Sequence, residues 1–297
     1  ICRSAAKSDP EFTGRLFNIA ENSNDQSGFI LNVLRSDYMV DNDSDRLLQV
    51  ELNTTCCALG SQSDKLSEYF GSNGYSVPTN GFINDAADTF GIAHQEWCVL
   101  HGKSDAVIAF VVMENERNVH DHALLSAAIE KRGLRVKRVH LTDEFEQDSD
   151  GFIKHDGDIV SIFYFRTGYM PAQYRDESAW SNRLDLEKSR AIKVPNMLST
   201  LAGLKVVQQT LFDGRFLEKC RLGQLMSCFT DQYSLGNQYE ECMVALQREP
   251  MSFVLKPQRE GGGNNIYSAD VLPFILKLAK DDRSAYILMR LIRPKVI

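Results

Sequence analysis

The sequence predicts an α/β protein, with a parallel sheet in its first lobe and a helical and hairpin region in its second. Residues 106–113 form an unbroken apolar run of strand length, which is typical of a parallel strand buried on both faces. A helical pattern and another strand pattern follow this run, and β-α-β order indicates a parallel sheet. Beyond residue 171 the pattern changes to several helices, one glycine-rich loop and two short strands.

In the first lobe, each element follows from the spacing of its apolar residues. We predict a strand at 46–53, a polar loop with at most a short helix at 60–81, a helix at 83–100, a strand at 106–113, a helix at 121–131, a strand at 134–140, a hairpin at 143–157 and a strand at 158–166.

In the second lobe, the same criterion predicts fewer strands and more helices. We predict helices at 179–192, 198–212, 215–229 and 269–280, and strands at 253–256 and 285–291. The boundary between the lobes is placed near Tyr174, which gives one lobe at 1–174 and another at 175–297.

Composition excludes several classes of protein. The chain has 297 residues, 43% of them hydrophobic and 25% charged, which is unlike a disordered chain, a collagen or a coiled-coil rod. No apolar run approaches the ~18 residues of a membrane span. The net charge of −7 argues against a nucleic-acid or anionic-membrane partner. The seven cysteines lack framework spacing, so we expect free thiols and a cytoplasmic location.

The strongest chemical pattern is a glycine loop after the strand at 253–256. The strand delivers Lys256, and three consecutive glycines let the backbone N–H groups of 261–263 approach phosphate oxygens. Glu260 is placed to share a metal ion with those phosphates. A flexible linker is the alternative, although linkers are usually rich in Gly and Ser and lack a Lys-Pro entry.

Glu51 and Asn53 form a second pattern. Alternation along a strand places both side chains on one face. A carboxylate and an amide oxygen are hard ligands of the kind that Mg²⁺ prefers. Taken alone, the pair is better explained as polar residues on the solvent-facing side of a strand. Together with Glu260 it predicts a magnesium site.

Arg166 forms a third pattern, because it ends the strand at 158–166 just before a Gly turn that presents Tyr169. Anionic substrates bind at the carboxyl ends of strands in open α/β sheets, and a guanidinium suits a carboxylate or an acyl phosphate. A structural salt bridge remains an equal alternative. Two weaker segments, at 35–39 and 114–118, read by themselves as solvated turns.

Together these motifs resemble those of eukaryotic glutathione synthetase, an ATP-grasp ligase. The matching segments run in order along most of the chain. They are Arg-Ser-Asp-Tyr-Met at 35–39, Glu-Leu-Asn-Thr at 51–54, Glu-Arg-Asn at 116–118, the strand end and turn at 164–171, the segment 201–209 and the block 256–265.

The resemblance implies a reaction and its partners. ATP phosphorylates the cysteinyl carboxylate of γ-glutamylcysteine, and the amine of glycine attacks the acyl phosphate, which gives glutathione, ADP and phosphate. The implied cofactor is Mg²⁺, with ATP as co-substrate. The implied assembly is a homodimer that binds small molecules and neither nucleic acid nor membrane.

The resemblance also implies a role for each matched residue. Arg166 is expected to be catalytic, by stabilising the transferring phosphoryl group. The implied metal ligands are Glu51, Asn53 and Glu260. The implied ATP ligands are Glu51, Lys205, Lys256, Gly261, Gly262, Asn265, Tyr267, Met289 and Ile292. The implied γ-glutamylcysteine ligands are Arg35, Thr55, Cys56, Cys57, Ala58, Glu116, Asn118, His122, Arg166 and Tyr169.

The chain departs from the family pattern at several positions. Cys56 and Cys57 lie in a segment where the family has Ser-Ala-Ser, His122 replaces a Gln, Thr167 replaces an Asp, and Arg290 replaces an acidic residue. These changes bear on substrate affinity.

The family chain also begins before residue 1 and continues past residue 297. We therefore expect a fragment that has no measurable synthetase activity by itself. Two other functions remain open, namely a truncated, non-catalytic nucleotide-binding paralogue and a related ligase that uses another amine.

Overall fold

The computed structural model describes residues 1–260 and 263–295 and contains two sheets and a separate two-stranded ribbon. The strands are β1 (Arg35–Val40), β2 (Leu47–Asn53), β3 (Val107–Val111), β4 (Val136–Val139), β5 (Glu146–Gln147), β6 (Ile153–His155), β7 (Asp158–Phe165), β8 (Ile192–Val194), β9 (Gln232–Ser234), β10 (Phe253–Pro257), β11 (Ile266–Tyr267) and β12 (Tyr286–Arg290).

Eleven α-helices connect these strands in the part of the chain that the structure describes, and none of them is long and apolar enough to cross a membrane. They are α1 (Arg3–Ser8), α2 (Arg15–Asn22), α3 (Gly60–Ser72), α4 (Phe82–His101), α5 (Val119–Glu130), α6 (Glu177–Lys188), α7 (Met197–Ala202), α8 (Lys205–Phe212), α9 (Gly214–Lys219), α10 (Tyr239–Arg248) and α11 (Val271–Lys277).

The first sheet confirms the predicted parallel arrangement. β3 pairs in parallel with β4 on one side and with β7 on the other, and β8 adds a further parallel strand beside β7. The predicted hairpin at 143–157 is also present, because β5 and β6 pair antiparallel and β6 extends onto the start of β7. The carboxyl ends of β3 and β7 therefore meet at one edge, where ligands bind in such sheets.

Both faces of this sheet are buried, as the apolar run at 106–113 predicts. Val107, Ala109 and Val111 pack into one core with α2, α6 and α7, whereas Ile108 and Phe110 pack into another with α4 and α5. Successive side chains of a strand point to opposite faces, so one continuous apolar run supplies both cores.

The predicted helix at 179–192 is wrong in its last turn. α6 ends at Lys188 with Ser189 in an extended conformation, and Ile192–Val194 form β8. Pro195 disfavours helical backbone at the residue before it, which accounts for an extended Val194. This strand lies beyond the boundary predicted at Tyr174 but belongs to the first sheet; the division into two lobes remains a prediction.

Other predicted helices are divided or longer than expected. The segment 198–212 contains two helices, α7 and α8, which are separated at Gly203–Leu204. The segment 215–229 contains α9 and then a 3₁₀ helix, and the helix predicted at 269–280 is shortened to Val271–Lys277. The segment predicted as a loop at 60–81 instead contains the 13-residue helix α3.

The second sheet has the strand order β11-β10-β12-β9, with all neighbours antiparallel. One of its faces packs with α10 and α11 into a third core that includes Phe253, Leu255 and Leu288. Lys256 lies on the opposite face, because it pairs with Ile287 in the ladder and alternates with Leu255. That opposite face meets α8 and positions the site.

Candidate active site

The ribbon of β1 and β2 gathers four polar residues on one face. Arg35 lies opposite Asn53, and Asp37 lies opposite Glu51. Arg35 donates to both oxygens of Asp37, at 2.8 and 3.0 Å, and Asn53 Nδ2 donates to Asp37 Oδ2 at 3.2 Å. The predicted shared face of Glu51 and Asn53 is confirmed, because directly opposed residues of a ribbon project from the same side.

Lys205 joins this ribbon to the glycine loop. It is the first residue of α8 and is 4% exposed. Its Nζ lies 3.2 Å from Glu51 Oε2 and 3.1 Å from Glu260 Oε1. The structure therefore brings together three predicted site residues that lie far apart in the sequence, as the metal-site prediction requires.

A second buried lysine completes this cluster. Lys256 Nζ donates to the carbonyl oxygen of Val50 at 2.7 Å, which links β10 to the ribbon. Burial, together with the charge of Lys205, lowers the pKa of Lys256 to about 8 against the opposing effect of Glu51, Glu260 and Asp37. A buried ammonium that is not fully neutralised suits an anionic ligand.

Burial also shifts the pKa of the paired groups. Burial raises the pKa of Glu260, and the charge of Glu51 adds to this effect, while Lys205 opposes both. For Lys205, burial favours a lower pKa, but Glu260 and Glu51 outweigh burial and raise it. One ammonium thus holds two carboxylates, an arrangement that a cation of higher charge would satisfy better.

The donor set fits a magnesium ion that is carried by a nucleotide. Among residues 1–260 and 263–295 there is no group of three or more His, Cys, Asp or Glu arranged to hold a metal ion by themselves. Mg²⁺ in nucleotide sites usually takes one or two carboxylates and completes its shell with phosphates and water. Glu51 and Glu260 would supply the carboxylates. Among the described residues, the two hydrogen bonds of the Asn53 side chain both use its nitrogen and leave its side-chain oxygen available.

Gly203 is required by the close packing beneath this cluster. A Cβ atom added at Gly203 would lie 2.5 Å from Thr54 Oγ1 and 3.6 Å from Glu260 Oε1. Thr54 follows β2 directly, so the turn between α7 and α8 presses against the end of the ribbon. A side chain at this position would displace Thr54 and disturb the approach of Glu260.

A second cluster surrounds Arg166, which is 1% exposed. Its NH1 donates to the carbonyl oxygen of Cys57 and to the Tyr164 hydroxyl, the latter at 3.3 Å. Its NH2 lies 3.5 Å from Glu116 Oε1 and 3.9 Å from Asp121 Oδ2. Arg166 therefore contacts acidic groups at the carboxyl edge of the first sheet. These contacts are the structural salt bridge that was the alternative to substrate binding for this residue.

His122 extends the second cluster. Arg138 NH1 lies 3.0 Å from His122 Nδ1, and an arginine can only donate. This contact assigns the proton of the neutral ring to Nε2, which lies 2.8 Å from Glu116 Oε2. The two atoms are in ion-pair contact, but neither has a hydrogen-bond partner among the described residues, whereas a glutamine at this position could present either an amide nitrogen or an oxygen.

Of the two adjacent cysteines, Cys57 is buried and Cys56 is partly buried. Cys56 Sγ donates to the carbonyl oxygens of Phe165 and Thr167, at 3.5 and 3.4 Å, and Cys57 Sγ donates to that of Asn53 at 3.1 Å. Burial raises the pKa of Cys56 to about 12 and that of Cys57 to about 11. Both side chains stay protonated at neutral pH and serve as weak hydrogen-bond donors. All seven cysteines of the chain are free, as expected.

Cys57 lies between the two clusters. The charges of Arg35, Arg166 and Glu260 all act on its thiol. A cavity of about 310 Å³ opens beside it and is lined by Arg35, Cys57 and Ala58 among other residues. Three of the residues predicted to bind substrate thus border one cavity next to the lysine cluster.

Three other predicted substrate residues lie near this region without contacting Arg166. Thr55 Oγ1 donates to Cys56 Sγ at 3.6 Å, and Asn118 directly precedes α5. Tyr169 is half-buried, and burial raises its pKa. Among the residues that the structure describes, none of these three side chains forms a hydrogen bond or an ion pair with Arg166.

Two of the implied ATP ligands, Met289 and Ile292, lie in or just beyond β12 of the second sheet. Met289 is 2% exposed and lies on the same face as Lys256, because both alternate with residues of the third core. Ile292 lies just beyond β12 and is partly buried. The structure thus places Met289 on the face that carries the lysine cluster.

The predicted loop ligands are only partly described. Asn265 Nδ2 donates to the Tyr267 hydroxyl at 3.1 Å, and Tyr267 is 52% exposed. Gly261 and Gly262 lie outside the described residues. Gly263 has a φ of +89°, a backbone conformation that favours glycine.

Sequence reasoning missed four polar residues of the site. Asp37 and Tyr164 each lie two positions from a predicted residue on the same strand, so strand alternation could have identified them. Asp121 lies in the first turn of α5, and Arg138 lies in β4. Nothing local marks Arg138, because its contact with His122 depends on how α5 packs against the sheet.

A pH titration tests the buried state of Lys256. Folded protein loses this proton near pH 8, whereas the unfolded chain keeps it up to a pKa near 10.5. Between these values the unfolded state binds more protons, so the free energy of unfolding rises with pH. We expect wild type to gain stability relative to Lys256→Met across this window in urea denaturation. A difference that stays constant with pH would show that the folded-state pKa is not depressed.

A double-mutant cycle tests the packing at Gly203. We expect Gly203→Ala to lower the free energy of unfolding by about 1–3 kcal/mol, as overpacking does. Thr54→Ala removes the obstructing hydroxyl, so the double variant should recover most of that loss. Urea denaturation of the four proteins measures the coupling. Additive effects would contradict the close contact between the two residues.

Comparison with known proteins identifies the family. The whole chain, residues 1–297, matches the family described as eukaryotic glutathione synthase, ATP binding domain. Chloroplastic glutathione synthetase of Solanum lycopersicum is 38% identical over 98% of this chain and 57% of its own length. The Xenopus laevis glutathione synthetase is 36% identical over 99% and 67%, and that of Homo sapiens is 33% identical over 98% and 66%.

A solved structure agrees with the fold. The glutathione synthetase-like effector of Globodera pallida, in its apo form, superposes with a TM-score of 0.75 at 20% identity and covers 100% of this chain and 69% of its own. The chain spans 57% of the length of its relative from Solanum lycopersicum. Sequence and fold agree, and the chain belongs to the eukaryotic glutathione synthase family.

Proposed function

We propose that this chain binds ATP at the lysine cluster and takes part in ATP-dependent ligation of γ-glutamylcysteine to glycine. The observation that carries the proposal is the convergence of Lys205, Glu51 and Glu260, with Lys256 on the adjoining strand. Two buried ammonium groups beside two carboxylates suit a triphosphate with its cation. Family membership supports the reaction class.

The site would hold the nucleotide by charge and by shape. Lys205 and Lys256 would bind phosphate oxygens, and the backbone of the glycine loop would approach them closely. Met289 would face the base from the same side of the second sheet. Glu51, Glu260 and Asn53 would hold Mg²⁺, which when bound neutralises charge on the phosphates.

The second cluster would bind γ-glutamylcysteine. Arg166 and Arg35 carry guanidinium groups suited to carboxylates, and Glu116 offers a carboxylate for an ammonium group. Cys57 and Ala58 line a cavity together with Arg35. We assign Arg166 to substrate binding, and its stabilisation of the transferring phosphoryl group stays a prediction.

The proposed chemistry balances in two steps. The cysteinyl carboxylate attacks the γ-phosphorus of ATP, and ADP leaves with the bond electrons. The glycine amine then attacks the acyl carbon, an amide bond forms, and phosphate leaves while the amine loses a proton. Closure of the glycine loop would exclude water, which otherwise hydrolyses the acyl phosphate.

The location, assembly and partners of the chain are proposed from the family resemblance and the net charge. We propose a cytoplasmic homodimer whose partners are ATP, γ-glutamylcysteine and glycine. A net charge of −7 disfavours binding to nucleic acid or to an anionic membrane.

Separate titrations of the two ligands test this proposal. Calorimetry would measure ATP binding in Mg²⁺ and, independently, γ-glutamylcysteine binding. We expect Glu260→Gln to weaken ATP binding about tenfold or more while sparing γ-glutamylcysteine, and Arg166→Ala to do the reverse, since each removes a charge-assisted contact.

Two surface variants serve as matched controls for these titrations. Glu21→Gln and Arg132→Ala disrupt exposed ion pairs with Arg3 and Asp88, which involve no residue of either cluster, and should change neither affinity. Wild type that binds no ATP would refute the nucleotide assignment. Equal loss of both ligands in either variant would show that the clusters do not act as separate subsites.

A further inference from the structure

Lys205 occupies the place between the two carboxylates that are proposed to hold the metal. Its Nζ is within 3.2 Å of Glu51 and within 3.1 Å of Glu260. The two carboxylates come from different parts of the chain, and the lysine is the cation that they share. This inference rests on the proposed function, because it concerns the same metal and nucleotide site.

A lysine and a magnesium ion cannot both fill this place. The ammonium nitrogen lies 3.1–3.2 Å from the carboxylate oxygens, whereas Mg²⁺ binds oxygens at about 2.0–2.1 Å. Binding of the metal would draw both carboxylates inward onto an ion of higher charge. The lysine, now facing a like charge at close range, would have to leave.

Lys256 is held differently and does not compete. Its Nζ donates to the Val50 carbonyl at 2.7 Å, and in the described part of the chain no carboxylate oxygen lies within 4.0 Å of it. Of the two buried lysines, only Lys205 bridges Glu51 and Glu260. Lys256 is therefore the natural comparison, since it carries the same charge in the same site.

We infer that Lys205 is a stand-in for the divalent cation and that its release couples metal binding to nucleotide binding. In the ligand-free protein the lysine neutralises both carboxylates, and it thereby lowers the affinity of the site for a divalent cation. Phosphate oxygens give the ammonium group another anionic partner, which frees Glu51 and Glu260 for the metal. Metal and nucleotide then raise each other's affinity by the same factor, as linkage requires.

The charged groups around Lys205 support an exchange rather than simple addition. Glu51 and Glu260 contact the lysine directly, while Asp37 is already occupied by Arg35 and Asn53. The carboxylates that remain for a metal are thus the two that the lysine holds. A metal that arrives without phosphate has to displace a buried ion pair, which is costly.

Binding of Mn²⁺ in the absence of nucleotide tests this inference, with the free ion followed by electron paramagnetic resonance. We expect Lys205→Met to raise Mn²⁺ affinity about tenfold or more over wild type, because a competing positive charge about 3 Å from each ligand is removed. Lys205→Gln should do the same. Lys256→Met should raise it much less, since that lysine does not occupy the site.

Thermal unfolding provides a second readout for the same variants. Without its lysine the carboxylate pair repels itself, so Mn²⁺ should raise the melting temperature of Lys205→Met clearly more than that of wild type. If this variant is unfolded without metal, Mn²⁺ should restore it. Failure of saturating Mn²⁺ to stabilise or restore the Lys205 variants would overturn the inference.

The outcomes separate this inference from the proposed function. Unchanged or weaker Mn²⁺ affinity in both Lys205 variants overturns the exchange, as does an equal rise in Lys256→Met, which would indicate a general charge effect. ATP should strengthen Mn²⁺ binding far more in wild type than in Lys205→Met. The comparison of Mn²⁺ affinities between wild type and the lysine variants is made without nucleotide, so an absence of ATP binding would contradict the proposed function and leave the test of exchange intact.

Discussion

The contact of Lys205 with Glu51 and Glu260 is the constraint on which the site depends. It ties the ribbon of β1 and β2 to the segment that follows β10, and the hydrogen bond from Lys256 to Val50 repeats the link. A lysine buried as deeply as Lys205 keeps its charge only when it is paired, because removal of its partners would leave that charge uncompensated. The packing of α8 against the second sheet therefore fixes both the fold and the charge pattern of the site.

The second cluster, around Arg166, complements the charge pattern of the lysine cluster. Arg166 lies among acidic groups at the carboxyl edge of the first sheet, and Cys57 lies between Arg166 and Glu260. The proposed function requires a phosphate donor and a carboxylate to be brought together, and positioning of this kind can supply a large part of a rate enhancement. Two adjacent polar clusters with a cavity beside them meet this need.

Sequence reasoning succeeded where the determinants are local. Strand alternation predicted the shared face of Glu51 and Asn53, and the end of a buried strand predicted the position of Arg166. It failed where contacts between residues far apart in the sequence determine the local structure. β8 was not predicted and its first residue, Ile192, was assigned to a helix, although Pro195 marks the end of the strand. The contact of Arg138 with His122 has no sequence signal, because it joins a strand to a helix.

A crystal structure with Mg²⁺ and a non-hydrolysable ATP analogue tests the central claim most directly. The account predicts the metal about 2.1 Å from oxygens of both Glu51 and Glu260. It also predicts Lys205 Nζ on a phosphate oxygen instead of on the carboxylates. A nucleotide bound elsewhere, or bound here with Lys205 still bridging the two carboxylates, would contradict the account.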